Sequence, residues 1–162
     1  MKAMVVGFVF RVDTREVLLV QKLKPEWQKG LWNGIGGKIE PGELPREAII
    51  REFDEELKGT FISGSNNWKH MITLVCSTGV VFFYRYPDLL LTVTDDHPKT
   101  NDVDENLVWH PIDNLPKEVM VNLKWIVPFC YHQKLEAPIF VHEDMWLYRD
   151  KDPEYLKRAG LR

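Results

Sequence analysis

The chain has 162 residues, of which 44% are hydrophobic and 28% are charged, and its formal net charge is -3. This length predicts a single domain, residues 1–162, whose core is large enough to need neither disulfides nor a structural metal. Proteins that bind nucleic acid polymers normally carry a basic excess, so the charge argues against that partner. A small phosphorylated ligand stays compatible with it, because a few local charges can dominate a pocket.

The cysteines and the amino-terminal segment predict where the protein works. Cys76 and Cys130 both lie in apolar runs and lack the spacing of a metal site. Buried free thiols are typical of a reducing compartment, so we expect a cytoplasmic protein. The apolar segment 3–10 is too short to span a membrane and predicts a first strand, with no membrane partner. A monomer and a homodimer are both compatible with this composition.

The predicted elements, in chain order, form a mixed sheet with two helices, which is an α+β fold. Hydrophobic alternation and β-branched residues predict strands, and turn residues separate them. Apolar residues at helical spacing predict the two helices. The predicted strands span residues 4–12, 16–22, two runs within 71–86, 107–110 and 138–148. The predicted helices span residues 44–57 and 116–132, with an ordered loop at 24–42 and a mobile acidic loop at 95–105.

The first predicted helix carries an acidic face beside its apolar stripe. Glu52, Glu55 and Glu56 follow the spacing i, i+3 and i+4, so their side chains are neighbours that repel one another. A divalent cation such as Mg²⁺ or Mn²⁺ relieves this repulsion, because carboxylate oxygens are its preferred ligands. We expect Ala48 in the middle of this face, leaving room for a ligand. A solvated acidic surface has the same spacing, so the helix alone does not identify a site.

The residues before the helix extend the pattern. The stretch GIGGKIEPGELPREAIIREFDEEL, residues 34–57, has a glycine, five residues, a glutamate, seven residues, Arg-Glu, an apolar residue, any residue and Glu-Glu. This spacing resembles the Nudix box, a far more specific signature than a lone glycine pattern. The positions that match it are Gly37, Glu43, Arg51, Glu52, Phe53, Glu55 and Glu56.

The resemblance implies a Nudix-type α/β/α sandwich, with a mixed sheet between helices, and roles for particular residues. Metal ligands would be Glu52, Glu55 and Glu56, together with the main-chain carbonyl of Gly36. Glu52 would also activate the attacking water, Glu55 would complete the catalytic set as a further metal ligand, and Arg51 would orient the carboxylates. Lys38 would contact phosphate, although a solvated loop lysine fits that position equally well. A further ligand would come from Glu105 in the acidic loop, which a merely solvated loop also explains.

The loop before the box, WQKGLWNGIGGK, is similar to that of the MutT-like branch, whose members include oxidised purine nucleoside triphosphate pyrophosphatases. The similarity implies that Asn33 hydrogen-bonds the base, since an amide offers both a donor and an acceptor. Trp27 would stack on the base, unless it only packs. Asn122 would line the base pocket from the second helix, unless it caps that helix instead.

These residues lead to one hypothesis and two alternatives. The hypothesis is metal-dependent hydrolysis of a purine nucleoside triphosphate, such as 8-oxo-dGTP or dGTP, to the monophosphate and pyrophosphate. The first alternative keeps the chemistry and changes the substrate to ADP-ribose, another nucleotide sugar or a dinucleotide. The second is a nucleotide-sensing module without catalysis, which the intact set of box glutamates argues against.

Overall fold

The computed structural model describes residues 2–57, 67–76, 79–86, 106–132 and 138–142. Two α-helices and two short 3₁₀ helices lie within these segments, and none of them is long and apolar enough to cross a membrane. The α-helices are α1 (Pro45–Glu56) and α2 (Leu123–Tyr131). The strands are β1 (Lys2–Arg11), β2 (Glu16–Gln21), β3 (Trp32–Asn33), β4 (Lys69–Cys76), β5 (Gly79–Tyr86), β6 (Asn106–Pro111) and β7 (Ile139–His142).

These strands form one mixed sheet in the order β3-β2-β1-β5-β4-β7, with β6 paired to β2. The pairs β1–β5 and β4–β7 are parallel, whereas β1–β2, β2–β3, β2–β6 and β4–β5 are antiparallel. Parallel strands need a long crossover connection, and the chain between β1 and β5 includes α1. The predicted α+β architecture, a mixed sheet between helices, is confirmed.

Alternation along β1 divides the hydrophobic core between the two faces of the sheet. Successive strand residues point to opposite faces. Accordingly, Phe8 belongs to a cluster that includes residues of α2, and Val9 belongs to a second cluster that includes residues of α1. Phe8 also stacks on Phe83 of β5, with 6.1 Å between ring centroids. The two helices are therefore held on opposite faces, leaving the loops at the sheet ends to build a site.

Helix α1 begins where its sequence favours a start. Pro45 is its first residue, where a missing N–H costs nothing, and the Glu47 carboxylate accepts a hydrogen bond from the Leu44 N–H at 2.9 Å. The side chains of Ala48, Ile49 and Phe53 are buried in the core. The expected position of Ala48 on the acidic face is therefore wrong. The apolar stripe of the helix is wide enough to include it, as is usual for a helix packed on a sheet.

The second helix is shorter than predicted, because α2 begins at Leu123 rather than at residue 116. The preceding segment pairs with β3 instead. Trp32 donates its N–H to the carbonyl of Glu118 at 2.9 Å, and Met120 donates its N–H to the carbonyl of Trp32 at 3.0 Å. These bonds use main-chain groups that a helix would otherwise need. The strand predicted at 138–148 is present as β7, while residues 143–148 and the loop 95–105 lie outside the described residues.

Candidate active site

Arg51 is the centre of the hydrogen-bond network on the acidic side of α1. Its guanidinium donates two hydrogen bonds to Glu43, at 2.8 and 3.0 Å, and one to Glu52 at 2.9 Å. It also donates to Glu55 at 3.4 Å and to the main-chain carbonyl of Lys38 at 3.0 Å. One cation thus connects the helix carboxylates to the loop before the helix, which is the position an orienting residue requires.

The ion pair with Arg51 determines the protonation of Glu43. The guanidinium, and then the Glu40 N–H, lower the pKa of the Glu43 carboxyl below its ordinary value by hydrogen bonding. Conversely, the carboxylates raise the pKa of Arg51, chiefly through Glu43. Both groups therefore stay charged at neutral pH. Glu43 holds the arginine, and the arginine holds the carboxylates that the box resemblance assigns to chemistry.

Lys22 makes a second ion pair with the acidic face of the helix. Its ammonium lies 2.9 Å from a carboxylate oxygen of Glu56, and the two side chains are only 11% and 16% exposed. The sequence analysis did not single out Lys22. A lysine directly after the buried strand β2 was the available signal, since a charge at such a position needs a partner. The pair brings the end of β2 to the carboxylate end of α1.

Two glycines bring the loop backbone against the helix carboxylates. A Cβ on Gly37 would lie 2.5 Å from the carboxyl carbon of Glu52, so only glycine leaves that carboxylate its place. At Gly36 the φ angle is +149°, and a Cβ would collide with the main chain of Val5. The carbonyl oxygen of Gly36 accepts no hydrogen bond from any residue within the described ranges. A free hard oxygen therefore lies one residue from the glycine that contacts Glu52.

The residues of this region fit a hard divalent cation in their chemistry. Glu52 and Glu56 are both largely buried carboxylates, and the Gly36 carbonyl adds a neutral oxygen. Within the described residues, no three acidic, histidine or cysteine side chains form a ready-made ligand cluster. Arg51 and Lys22 pair with these carboxylates instead. The proposed ligand Glu105 lies outside the described residues.

A cavity of about 480 Å³ opens beside the glycine loop, on the α2 face of the sheet. This volume lies within the usual range for small-molecule sites. Cationic side chains line part of its wall, namely Lys2, Lys22, Lys24 and Lys38. Apolar side chains line another part, namely Met4, Trp27 and Val81, and the backbone of Gly36 and Gly37 closes the loop side. The cavity can therefore accept an anionic group and a flat apolar group together.

Only some of the residues that were predicted to contact the nucleotide line this cavity. Trp27 and Lys38 contribute to its wall, whereas Asn33 and Asn122 do not belong to the described lining. The amide oxygen of Asn33 accepts a hydrogen bond from the Gly34 N–H at 2.8 Å. Asn122 occupies the N-cap position of α2, but its side chain makes no capping hydrogen bond; the residue is 4% exposed and its amide oxygen is unpaired. Base contact by either asparagine remains a proposal.

Comparison with known proteins places this geometry in a family. The family model of the NUDIX domain matches residues 1–127. An uncharacterised Nudix hydrolase of Bacillus subtilis is 30% identical over 115 residues, covering 68% of this chain and 67% of that protein. A CTP pyrophosphohydrolase of Escherichia coli is 48% identical over 42 residues, which cover 26% of this chain and 31% of that enzyme. This match spans less than two thirds of the enzyme's length.

A solved structure has the same fold. The MutT protein of Bacillus halodurans superposes with a TM-score of 0.61 at 21% sequence identity, covering 89% of this chain and 90% of the other. At this identity the comparison establishes the fold and leaves the substrate open.

Proposed function

Because the chain is a Nudix hydrolase, belonging to the family whose domain model matches residues 1–127, we propose that it hydrolyses a purine nucleoside triphosphate to the monophosphate and pyrophosphate. Mg²⁺ is the proposed cofactor, and Mn²⁺ is a chemically equivalent substitute. Candidate substrates include dGTP and its oxidised form 8-oxo-dGTP. A free nucleotide is the proposed partner, rather than a nucleic acid polymer.

The observation that carries this proposal is the continuity between the cavity and the box carboxylates. Lys22 lines the cavity and also pairs with Glu56 at 2.9 Å. Gly37 lines the cavity and also contacts Glu52. A phosphate chain that starts among the lysines would therefore end at the carboxylates, and the ring of Trp27 on the same wall would stack on a base. Nucleoside triphosphates have this sequence of a flat apolar group followed by negative charge.

Each residue then has a role that its contacts support. Glu52 and Glu56 would hold the ion with the Gly36 carbonyl, and Glu52 would accept a proton from the attacking water. Arg51 would keep Glu52 and Glu55 in position through the hydrogen bonds already described. Lys38 would neutralise a phosphate oxygen from the cavity wall. Mg²⁺, when bound, would supply charge neutralisation at the phosphate oxygens and activation of water.

The triphosphate has more support than the identity of the base. The E. coli relative is named as a CTP pyrophosphohydrolase, and the segment it shares with this chain is 48% identical. A pyrimidine substrate is thus a direct competitor of the purine that the loop resemblance implies. Hydrolysis of ADP-ribose and nucleotide sensing without catalysis compete with it as well, and substrate turnover separates all of these functions.

The experiment that tests the proposal compares carboxylate variants of one helix. Glu52→Gln and Glu56→Gln remove a charge at the proposed ion site, whereas Asp54→Asn removes a charge from the same helix outside it. We expect kcat/KM for the best nucleotide to fall by at least about 10²-fold in the first two variants, as for loss of a group acting in the transition state. We expect Asp54→Asn to stay within about threefold of the unmodified protein. Near-normal activity of Glu56→Gln would refute the metal assignment.

A further inference from the structure

Gln28 is a buried amide whose side chain lacks a partner. It lies in the 3₁₀ turn Glu26–Gln28 and is 5% exposed. Its main chain is fully engaged, since its N–H donates to the Pro25 carbonyl and its carbonyl accepts from the Leu31 N–H, both at 2.8 Å. Its side-chain amide makes no hydrogen bond to any residue of the described part of the chain. The amide is not among the side-chain groups sealed from solvent without a partner, so its atoms are accessible to a ligand from the space that they face.

Gln28 is part of the wall of the cavity described above. The neighbouring residue Trp27 provides the aromatic surface, and Lys24, three residues before Trp27, provides a cation. Among the described lining residues Gln28 is the single amide, and no acidic side chain lines the wall with it. Lysines suit phosphate oxygens, and an amide suits a neutral edge that carries a donor beside an acceptor. The polar groups of the wall thus match the two ends of a nucleotide.

We propose that Gln28 is a specificity-determining residue of the nucleotide site, where its amide hydrogen-bonds the edge of the base while Trp27 stacks on the ring. The inference rests on the proposed function and deepens it by naming the group that recognises the base. A glutamine amide can bond an adjacent donor and acceptor of a purine in a bidentate manner. The main-chain bonds of the turn hold Gln28 in place before the ligand arrives, which lowers the entropic cost of binding.

The test is the variant Gln28→Met, which keeps the length of the side chain and removes its hydrogen-bonding groups. Two substrates are compared with Mg²⁺: the purine nucleoside triphosphate that is turned over best, and the same sugar triphosphate carrying benzimidazole. Benzimidazole has the shape of a purine without the polar groups of its six-membered ring. We expect kcat/KM for the purine to fall by at least about tenfold, as for loss of a bidentate pair, and the value for benzimidazole to change less than about twofold.

A stability measurement and a matched glutamine separate recognition from structure. The Gln28 amide makes no hydrogen bond to the described part of the chain, so Gln28→Met should leave the melting temperature of the ligand-free protein within a few degrees, whereas loss of a structural glutamine lowers it. Gln21 is the matched control, since its amide donates to the Gly30 carbonyl at 3.2 Å and lies outside the described cavity wall. Gln21→Met disturbs the same loop, so we expect it to leave the purine-to-benzimidazole ratio unchanged.

An unchanged purine-to-benzimidazole ratio of kcat/KM, or a clearly lower melting temperature of Gln28→Met, would overturn the role of Gln28. If the unmodified protein turns over no nucleotide, the proposed function fails. The same pair of triphosphates is then compared by calorimetric binding with Mg²⁺. A purine preference that Gln28→Met abolishes would still support base recognition by Gln28, and the lack of any preference would reject it.

Discussion

Gly37→Ala offers a way to displace a proposed catalytic carboxylate without removing it. The added Cβ would lie 2.5 Å from the carboxyl carbon of Glu52, whereas ordinary contacts begin at 3.4 Å. The flexible carboxylate must therefore move by about 1 Å. A displacement of this size in a catalytic group costs about 10²-fold in rate. We expect kcat/KM for the best nucleotide to fall by about that factor, while the carboxylate itself stays in the protein.

The fold should tolerate this substitution, and the adjacent glycine provides the contrast. Gly37 is not among the glycines with positive φ, so alanine introduces no backbone strain there. Gly36 has φ +149° and faces the Val5 carbonyl, so Gly36→Ala must shift the backbone of both segments. We expect the melting temperature of Gly37→Ala to stay within a few degrees of the unmodified protein, and that of Gly36→Ala to drop clearly. Full activity of Gly37→Ala would refute the account of Glu52.

Three further predictions concern titration. Arg51→Gln removes the partner that lowers the pKa of Glu43, and the stabilisation from this pair exists above the ordinary carboxyl pKa and is lost as the pH falls. The unfolding free energy of the unmodified protein should exceed that of Arg51→Gln by about 1 kcal/mol at pH 7. This difference should shrink from pH 6 to 3. Burial lowers the pKa of His110, so as the pH falls the unfolded chain takes up a proton before the folded protein does, and this destabilises the fold. His110→Gln should therefore reduce the loss of stability below about pH 6.5. Denaturation at several pH values would detect the difference. Burial raises the pKa of the Cys130 thiol to about 12. In the variant Cys76→Ala, a disulfide reagent at pH 8 should therefore react with Cys130 only as fast as the protein opens. Stoichiometric reaction within minutes would contradict this.

The local part of the site was predictable from the sequence because its spacing is helical. The register of Arg51, Glu52 and Glu56 follows from the box, and it places Arg51 beside Glu52 and Glu55, whereas its bonds to Glu43 and to the Lys38 carbonyl depend on how the loop folds back. The short apolar run at residues 3–10 likewise predicts the strand β1. Features that a short stretch of chain determines by itself can thus be inferred from its sequence.

Contacts between distant segments were not predictable in the same way. The pair of Lys22 with Glu56 joins residues 34 positions apart, and only the sheet brings them together. The late start of α2 depends on main-chain hydrogen bonds to Trp32, and helix propensity contains no information about such contacts. Gln28 stands in a loop where a buried amide and a solvated one have the same sequence pattern. Its unpaired side chain becomes apparent only from the cavity around it.

The measurement that tests the central claim most directly is product analysis of the unmodified protein with Mg²⁺. The substrates are ordinary and oxidised purine and pyrimidine nucleoside triphosphates, together with ADP-ribose, and pyrophosphate and phosphate are measured separately. The account predicts release of pyrophosphate and nucleoside monophosphate from a purine triphosphate, abolished by chelation of the metal. Turnover of ADP-ribose alone, or of no compound in the panel, would contradict it.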